Sequence, residues 1–188
     1  MNKVTLKYIL ICFILPMNLN ICAQVWTAGD EITLNVSAYA LIATNSAPVT
    51  LNMISTVAGE AVGDVSNSDL FVKISSITPG GTDREITARI SSGSIPAGTV
   101  LTLVSAPCTT TNSGGDLGTA LTTPITLSNI DQTLVVYIST CYTGTGYNDG
   151  YQMTFNWAPI DLTTNYSLIS SATYNITVVF TLSAHDGN

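Results

Sequence analysis

The stretch that decides the fold is YNITVVFTLS, residues 174–183, close to the C-terminus. Its apolar residues alternate with Asn, Thr and Ser, a period of two that is typical of a β-strand with one buried face. The residues on the apolar side are Tyr174, Ile176, Val178, Phe180 and Leu182. Because an unpaired strand edge attracts other strands, we expect this strand to lie inside a sheet, with Val178 and Phe180 in the core.

The same alternation recurs along the chain, between turns rich in Gly and Pro such as TPGGTD and TGTGYNDG. The further predicted strands are EITLNVSAYALI (31–42), VTLNMISTV (49–57), DLFVKISSIT (69–78), REITARIS (84–91), TVLTLVSA (99–106), PITLS (124–128), QTLVVYIST (132–140) and GYQMTFNWA (150–158). One turn of helix fits DLTTNYSLISSA (161–172). About nine short strands predict an all-β fold, an antiparallel two-sheet β-sandwich of the immunoglobulin or pilin kind.

The N-terminus has the pattern of a signal peptide. Two lysines in MNKVTLK precede the apolar run YILICFIL, which is shorter than the roughly 20 residues that span a bilayer. Ile21 and Ala23 fit a signal-peptidase cut before Gln24. Lipid attachment at Cys22 is the alternative, although Ile21 stands where a small residue is usual. We therefore predict a signal peptide over 1–23, a single domain over 24–188, and an extracellular or cell-surface location, with the periplasm as the alternative.

Composition excludes several classes of function. After the predicted cleavage the basic residues are Lys73, Arg84 and Arg89 against twelve acidic residues, a formal charge of −9. Such a chain repels phosphate backbones, so we expect no nucleic-acid partner and no membrane insertion after cleavage. Charged residues are 9% of the sequence, against about 25% in ordinary soluble domains. Ser, Thr, Asn and Gly must provide the polar surface instead, which indicates an extracellular β-protein.

Two cysteines follow the predicted cleavage site, Cys108 and Cys141. In an oxidising compartment an even number favours a disulfide. Closing this loop would stabilise the fold by roughly 3.7 kcal/mol in the chain-entropy model. Metal ligation and a reactive thiol are the alternatives, but the sequence has no CxxC pair and no His near either cysteine.

No catalytic constellation is visible. His185 is the single His, and a position so near the chain end does not hold a catalytic base in register. GTGYNDG (144–150) is one residue too long for a dinucleotide-binding loop and precedes a strand instead of a helix. Most acidic residues stand in turns, where solubility explains them without glycoside hydrolysis. We therefore predict that the protein is not an enzyme.

Binding is the remaining class of site. Gly-rich loops near the two cysteines carry carboxylate and amide oxygens, which suit Ca²⁺, and tyrosines of the Cys141 loop could stack on sugar rings. The candidate ligand loop comprises Asn112, Asp116, Tyr142, Tyr147, Asn148 and Asp149. Ca²⁺ is the only cofactor that the sequence suggests.

A resemblance covers most of the chain after residue 23. It rests on ISSGSIPAGTVLTL (90–103), ISTCYTGTGYNDGYQMTFNW (138–157) and ATYNITVVFTLS (172–183). Together these resemble a family of uncharacterised secreted proteins of Bacteroidota, a resemblance that implies export but no activity. The closing strand is also similar to the last strand of spore-coat-U-like pilin domains and of WxL cell-wall-binding domains.

These observations predict a non-enzymatic secreted or cell-surface protein, a structural or adhesive subunit of a fimbria-like or matrix assembly. The alternative is a small extracellular binding module for glycan or calcium. Expected partners are copies of itself, other surface proteins or glycans. The last strand is expected to pair with ITLNVSAYALI of its own chain, or else with a neighbour's strand. Only QVWTAGDE (24–31) precedes the first predicted strand, too short to fill a groove, which favours completion within one chain.

Overall fold

The computed structural model describes residues 31–185. A compact unit begins at Val36, and residues 31–35 belong to a separate unit. The predicted signal peptide, the cleavage before Gln24 and the alternative lipid site at Cys22 lie outside the described residues. A single domain over 24–188 therefore stays a prediction. The part of the chain that the structure describes contains no helix long and apolar enough to cross a membrane.

Eleven strands and one 3-10 turn make up the described chain, in two antiparallel sheets. This confirms the all-β two-sheet sandwich, with more strands than predicted. The strands are β1 (Tyr39–Thr44), β2 (Val65–Ile77), β3 (Arg84–Ser92), β4 (Thr99–Ser105), β5 (Gly114–Gly115), β6 (Thr119–Ala120), β7 (Ile125–Thr126), β8 (Gln132–Ile138), β9 (Cys141–Tyr142), β10 (Tyr151–Pro159) and β11 (Thr177–Ala184). The 3-10 turn, Tyr166–Leu168, falls in the segment predicted to hold a helical turn.

The first sheet has the order β5-β9-β2-β10-β4-β7, with β1 also paired to β2, and the second has the order β11-β3-β8-β6. Alternate residues of both sheets face each other, as the sequence period requires. The side chains with the least exposure in this core include Val72, Ile86, Leu103, Leu134, Ile138, Tyr151 and Met153. The core is thus made from the strands whose alternation is clearest in the sequence.

The position predicted for the last strand was wrong. β11 pairs with β3 along its length and forms the edge of its sheet, whereas the predicted partner ITLNVSAYALI is not paired with it. Val178 and Phe180 pack against the core but are only half-buried. Alternation identifies the face that a strand buries, but it carries no information on whether both backbone edges have a neighbour.

Two predicted strands near the N-terminus were also wrong in whole or in part. Of EITLNVSAYALI (31–42) only Tyr39–Ile42 lies in a strand, β1, and VTLNMISTV forms none. Alternation alone does not make a strand where no neighbouring backbone pairs with the segment. Ser46, with a φ of 57°, turns the backbone after β1 has ended. The segment before β1, residues 31–38, which we name the arm, belongs to no strand and is exposed throughout. The argument that too little chain precedes the first strand to fill a groove therefore does not hold.

Candidate functional site

Two of the predicted ligand residues meet at one end of the sandwich. The Asp149 carboxylate accepts hydrogen bonds from the Thr110 hydroxyl (2.7 Å), the Gly146 N–H (2.6 Å) and the Asn112 amide (3.3 Å). Asp149 itself is only 6% exposed. The structure thus brings the Asn112 and Asp149 loops together, and the contact between them is a set of hydrogen bonds.

These donors favour the ionised form of Asp149. The Thr110 hydroxyl, followed by the Gly146 N–H and the Asn112 amide, lowers the pKa of the carboxyl, and Lys73 adds a smaller effect of the same sign. Gly144 has a φ of 92° and lies so close that a Cβ there would collide with the carboxylate. A cation at Asp149 would have to displace these donors. Among residues 31–185, no group of three or more His, Cys, Asp and Glu side chains is placed to hold a metal ion.

The other candidate residues have different surroundings. Asp116 shapes the chain before β6, since its Oδ1 accepts the Gly118 N–H at 3.1 Å. Tyr142 is 54% exposed, and its ring lies against Gly114. Tyr147 is 62% exposed, and Asn148 beside it is also exposed. The two tyrosines are therefore accessible to a ligand, whereas Asn112 and Asp149 are engaged with each other.

Cys108 and Cys141 lie at the same end of the sandwich. Both are free thiols in the structure, so the predicted disulfide is not formed there. Burial raises the pKa of Cys141 to about 11, with the charges of Asp116 and Cys108 adding to it. At neutral pH the Cys141 thiol is therefore protonated and a poor nucleophile.

His185 is held more firmly than the sequence suggested. Its backbone N–H donates to the Asp83 carbonyl at 2.9 Å, its ring packs edge-on against Tyr137, and its Nδ1 lies 3.3 Å from Glu85 Oε2. The expectation that a residue so near the chain end would not be held in place was therefore wrong. Within the described chain the ring hydrogen-bonds to this carboxylate and to no hydroxyl or thiol, so the contacts anchor the end of β11 and do not build a nucleophile.

A second site, which the sequence analysis missed, is a cavity of about 550 Å³ inside the other end of the sandwich. We call it the groove. Its lining comes from strands of both sheets and from residues 49–52 and 172–176, and the described residues that line it include no charged side chain. The apolar side chains that line it include Leu70, Leu101, Phe155, Trp157, Val178 and Phe180.

β11 provides the groove with a backbone edge as well as side chains. The His185 N–H donates to Asp83, and the register with β3 is unbroken from Val178 to Ala184. In an antiparallel ladder alternate residues bond to the partner strand. The peptide groups of Val178, Phe180, Leu182 and Ala184 therefore point away from β3. No described strand pairs with this free edge, although β1 approaches β11.

A buried polar group at the groove also lacks a hydrogen-bond partner among the described residues. Trp157 lines the groove, and its indole N–H is buried without an acceptor among the described residues. A buried donor without a partner costs about 1–3 kcal/mol. No sequence signal could have revealed the groove, because Trp157, Val178 and Phe180 all stand at inward positions of good strands. They differ from fully buried positions because no further strand of the described chain covers the cavity that they line.

Comparison with known proteins gives no match, whether to a protein-family model, a curated protein or a solved structure. The resemblance to secreted proteins of Bacteroidota stays a prediction. The function must therefore be inferred from the arrangement of residues in this chain.

Proposed function

We propose that the protein is a non-enzymatic structural subunit of an extracellular assembly, and that it associates through the groove and the free edge of β11. The observation that carries the proposal is the coincidence of these two features on one strand. Val178 and Phe180 line the cavity with their side chains, while their peptide groups point to the unpaired edge. An extended segment placed there would gain hydrogen bonds and apolar contacts together.

Charge does not drive association between like molecules, but the groove itself does not oppose it. The sequence carries a formal charge of −7, so two copies repel at long range. The described lining of the groove is uncharged, so contact at this site buries no ionised group and requires no counterion. Association through this site would then depend on apolar burial and on backbone pairing.

The test is the assembly state of the purified protein over a range of concentrations, measured by sedimentation velocity and negative-stain microscopy. Val178→Trp places a larger side chain into the groove and should prevent assembly. Val179→Trp is the matched control, because the next residue of β11 faces away from the groove and should permit assembly. Circular dichroism and thermal melting must first show that both variants fold.

A protein that remains monomeric at every concentration, and that is found as isolated molecules on intact cells, would refute the proposed function. Assembly that persists equally in both tryptophan variants would also count against it, because contact would then occur elsewhere on the molecule.

Glycan binding is a second candidate function, favoured by the exposure of Tyr142 and Tyr147 within one loop. Planar rings of this kind stack on sugar faces. A glycan array probed with the purified protein, with the double change Tyr142→Ala and Tyr147→Ala and with Tyr166→Ala as control, would test it. Binding that is lost in the double variant alone supports a glycan site, and binding unaffected by it excludes this loop.

Export and oxidation are part of the proposal. The pattern over residues 1–23 supports cleavage before Gln24, and intact mass of the exported protein should show that N-terminus without lipid. We also propose that Cys108 and Cys141 form a disulfide in the oxidising compartment. Because burial alone protects Cys141 from reagents, alkylation should be performed after unfolding without reductant. Two labelled thiols would refute the pairing.

A further inference from the structure

We propose that the occupant of the groove is the arm, residues 31–38, of a second copy of this chain, inserted as an additional strand along the free edge of β11. The inference rests on the proposed function and names the partner and the segment that fills the site.

The arm has the alternating sequence of a β-strand but belongs to no sheet. Ile32, Leu34 and Val36 alternate with Thr33, Asn35 and Ser37, yet they are 80%, 88% and 75% exposed. Isolated exposed apolar residues are common in proteins. Three large ones at strand spacing, on one side of a segment outside any sheet, are typical of a surface that becomes covered in an assembly.

The arm matches the free edge in its period. β11 contains eight residues, about 26 Å when extended. Side chains on one face of a strand are about 6.6 Å apart, so Ile32, Leu34 and Val36 have the same spacing as the inward residues of β11. Paired with the outward peptide groups of β11, the arm would direct these three side chains into the groove.

The place of attachment favours a second copy over the arm's own groove. The arm joins β1 at Tyr39, whereas the groove is lined by Thr44 at the other end of the same strand. Five strand residues separate the two points, about 17 Å. Because β1 runs from Tyr39 toward the groove, the chain could fill its own groove only by reversing its direction within NVSAY (35–39). A second copy needs no such turn.

The first experiment removes the apolar face of the arm. The triple variant Ile32→Ser, Leu34→Ser, Val36→Ser should raise the concentration needed for assembly by about 1,000-fold or more, since each large apolar side chain that stays unburied loses more than about tenfold in affinity. The matched control, Thr33→Ala, Asn35→Ala, Ser37→Ala, changes the opposite face of the same segment. It should assemble within about threefold of the unmodified protein. Both variants should keep the unmodified circular dichroism spectrum, because the arm belongs to no strand.

The second experiment supplies the arm separately. A synthetic peptide of sequence EITLNVSA should bind the triple serine variant, and hydrogen exchange should then slow at residues 178–184. Adding Val178→Trp to that variant should abolish peptide binding, whereas adding Val179→Trp should not. A peptide with Ser at its three apolar positions is the control ligand.

The outcomes separate this inference from the proposed function. If the triple serine variant assembles normally while Val178→Trp does not, the groove accepts another segment, so the inference fails and the proposed function stands. If the unmodified protein never assembles, the proposed function fails, and peptide binding to the groove alone decides the inference. A monomer whose β11 edge is protected at all concentrations, with protection lost in the triple serine variant, would show that each arm fills its own groove and would overturn the assignment to a second copy.

Discussion

At one end of β10, Tyr151 donates its hydroxyl hydrogen to the Leu117 carbonyl at 2.5 Å, and the preceding turn is held by the hydrogen bonds of Asp149. We call this the loop end. At the other end, Phe155 and Trp157 line the groove, where an indole N–H has no acceptor in the described chain and the edge of β11 is unpaired. The two ends are built from the same strands. At the loop end the Tyr151 hydroxyl and the Asp149 carboxylate have hydrogen-bond partners. At the groove end the indole N–H and the edge of β11 have none among the described residues.

The difference shows that a binding surface can lie where the sequence carries no conspicuous motif. The loop end carries the oxygen-rich loops and the cysteines that draw attention in the sequence. The Asp149 carboxylate nonetheless accepts hydrogen bonds that hold two loops together. The residues of the groove end form no unusual motif in the sequence. They stand out only because they surround a cavity beside an unpaired strand edge.

The largest effect is expected from the core near the loop end. Ile138 is fully buried, so Ile138→Ala should lower the free energy of unfolding by about 2–5 kcal/mol. Chemical denaturation monitored by circular dichroism measures this. A cost below about 1 kcal/mol would mean that the loop end is no better packed than the groove end.

A smaller effect is expected at the groove. Phe180→Ala in the monomer should cost about 1–3 kcal/mol, less than for a fully buried Phe, because the side chain is half-buried beside an existing cavity. Thr181→Ala, on the exposed face of the same strand, should cost under about 0.5 kcal/mol. The same denaturation series should be run in dilute protein. A loss at Phe180 equal to that at Ile138 would contradict the contrast between the ends.

The hydrogen bond of Tyr151 provides a finer measure of the loop end. Tyr151→Phe keeps the buried ring and removes the hydroxyl that donates to Leu117. We expect a loss of about 1 kcal/mol in the free energy of unfolding. Tyr147→Phe is the matched control, because its side chain is 62% exposed, and it should change stability very little. Equal effects of the two changes would show that the buried hydroxyl has no special role.

The Asp149 carboxylate should make the loop end sensitive to acid. Its pKa is lowered in the folded state, chiefly by the Thr110 hydroxyl. The stabilisation is therefore fully present above the unfolded pKa of about 3.9 and is lost as the pH falls through the lower folded value. The melting temperatures of the unmodified protein and of Asp149→Asn should differ most at pH 7 and converge below about pH 3.9. A difference independent of pH would mean that the charge does not matter.

The alternation of apolar and polar residues within single segments was sufficient to predict most of the long strands. Strands β2, β3, β4, β8, β10 and β11 lie within a few residues of their predicted ranges, because a period of two over seven or more residues reports a buried face directly. The sequence named Asn112 and Asp149 as candidate ligands, but it did not predict the hydrogen bond between them. In the strands the signal is local, and local chemistry determines the structure.

The remaining features depend on neighbours that are distant in sequence. EITLNVSAYALI alternates as well as any strand, yet only its last four residues have a partner, Ile74–Ile77 of β2. Likewise Val178 and Phe180 alternate perfectly and are not core residues. The sequence of a strand indicates which of its faces is apolar. Whether another strand lies beside it depends on the whole fold.

The arm and the groove are different surfaces of one chain, and this has a consequence for symmetry. A contact between unlike surfaces is heterologous, so it forms a ring if the rotation closes and otherwise continues without limit. A linear array built in this way would be polar, with an unfilled groove at one terminus and an unused arm at the other. Growth and capping would then be distinct events at distinct ends. A molecule with a blocked groove but an intact arm would stop extension at only one of them.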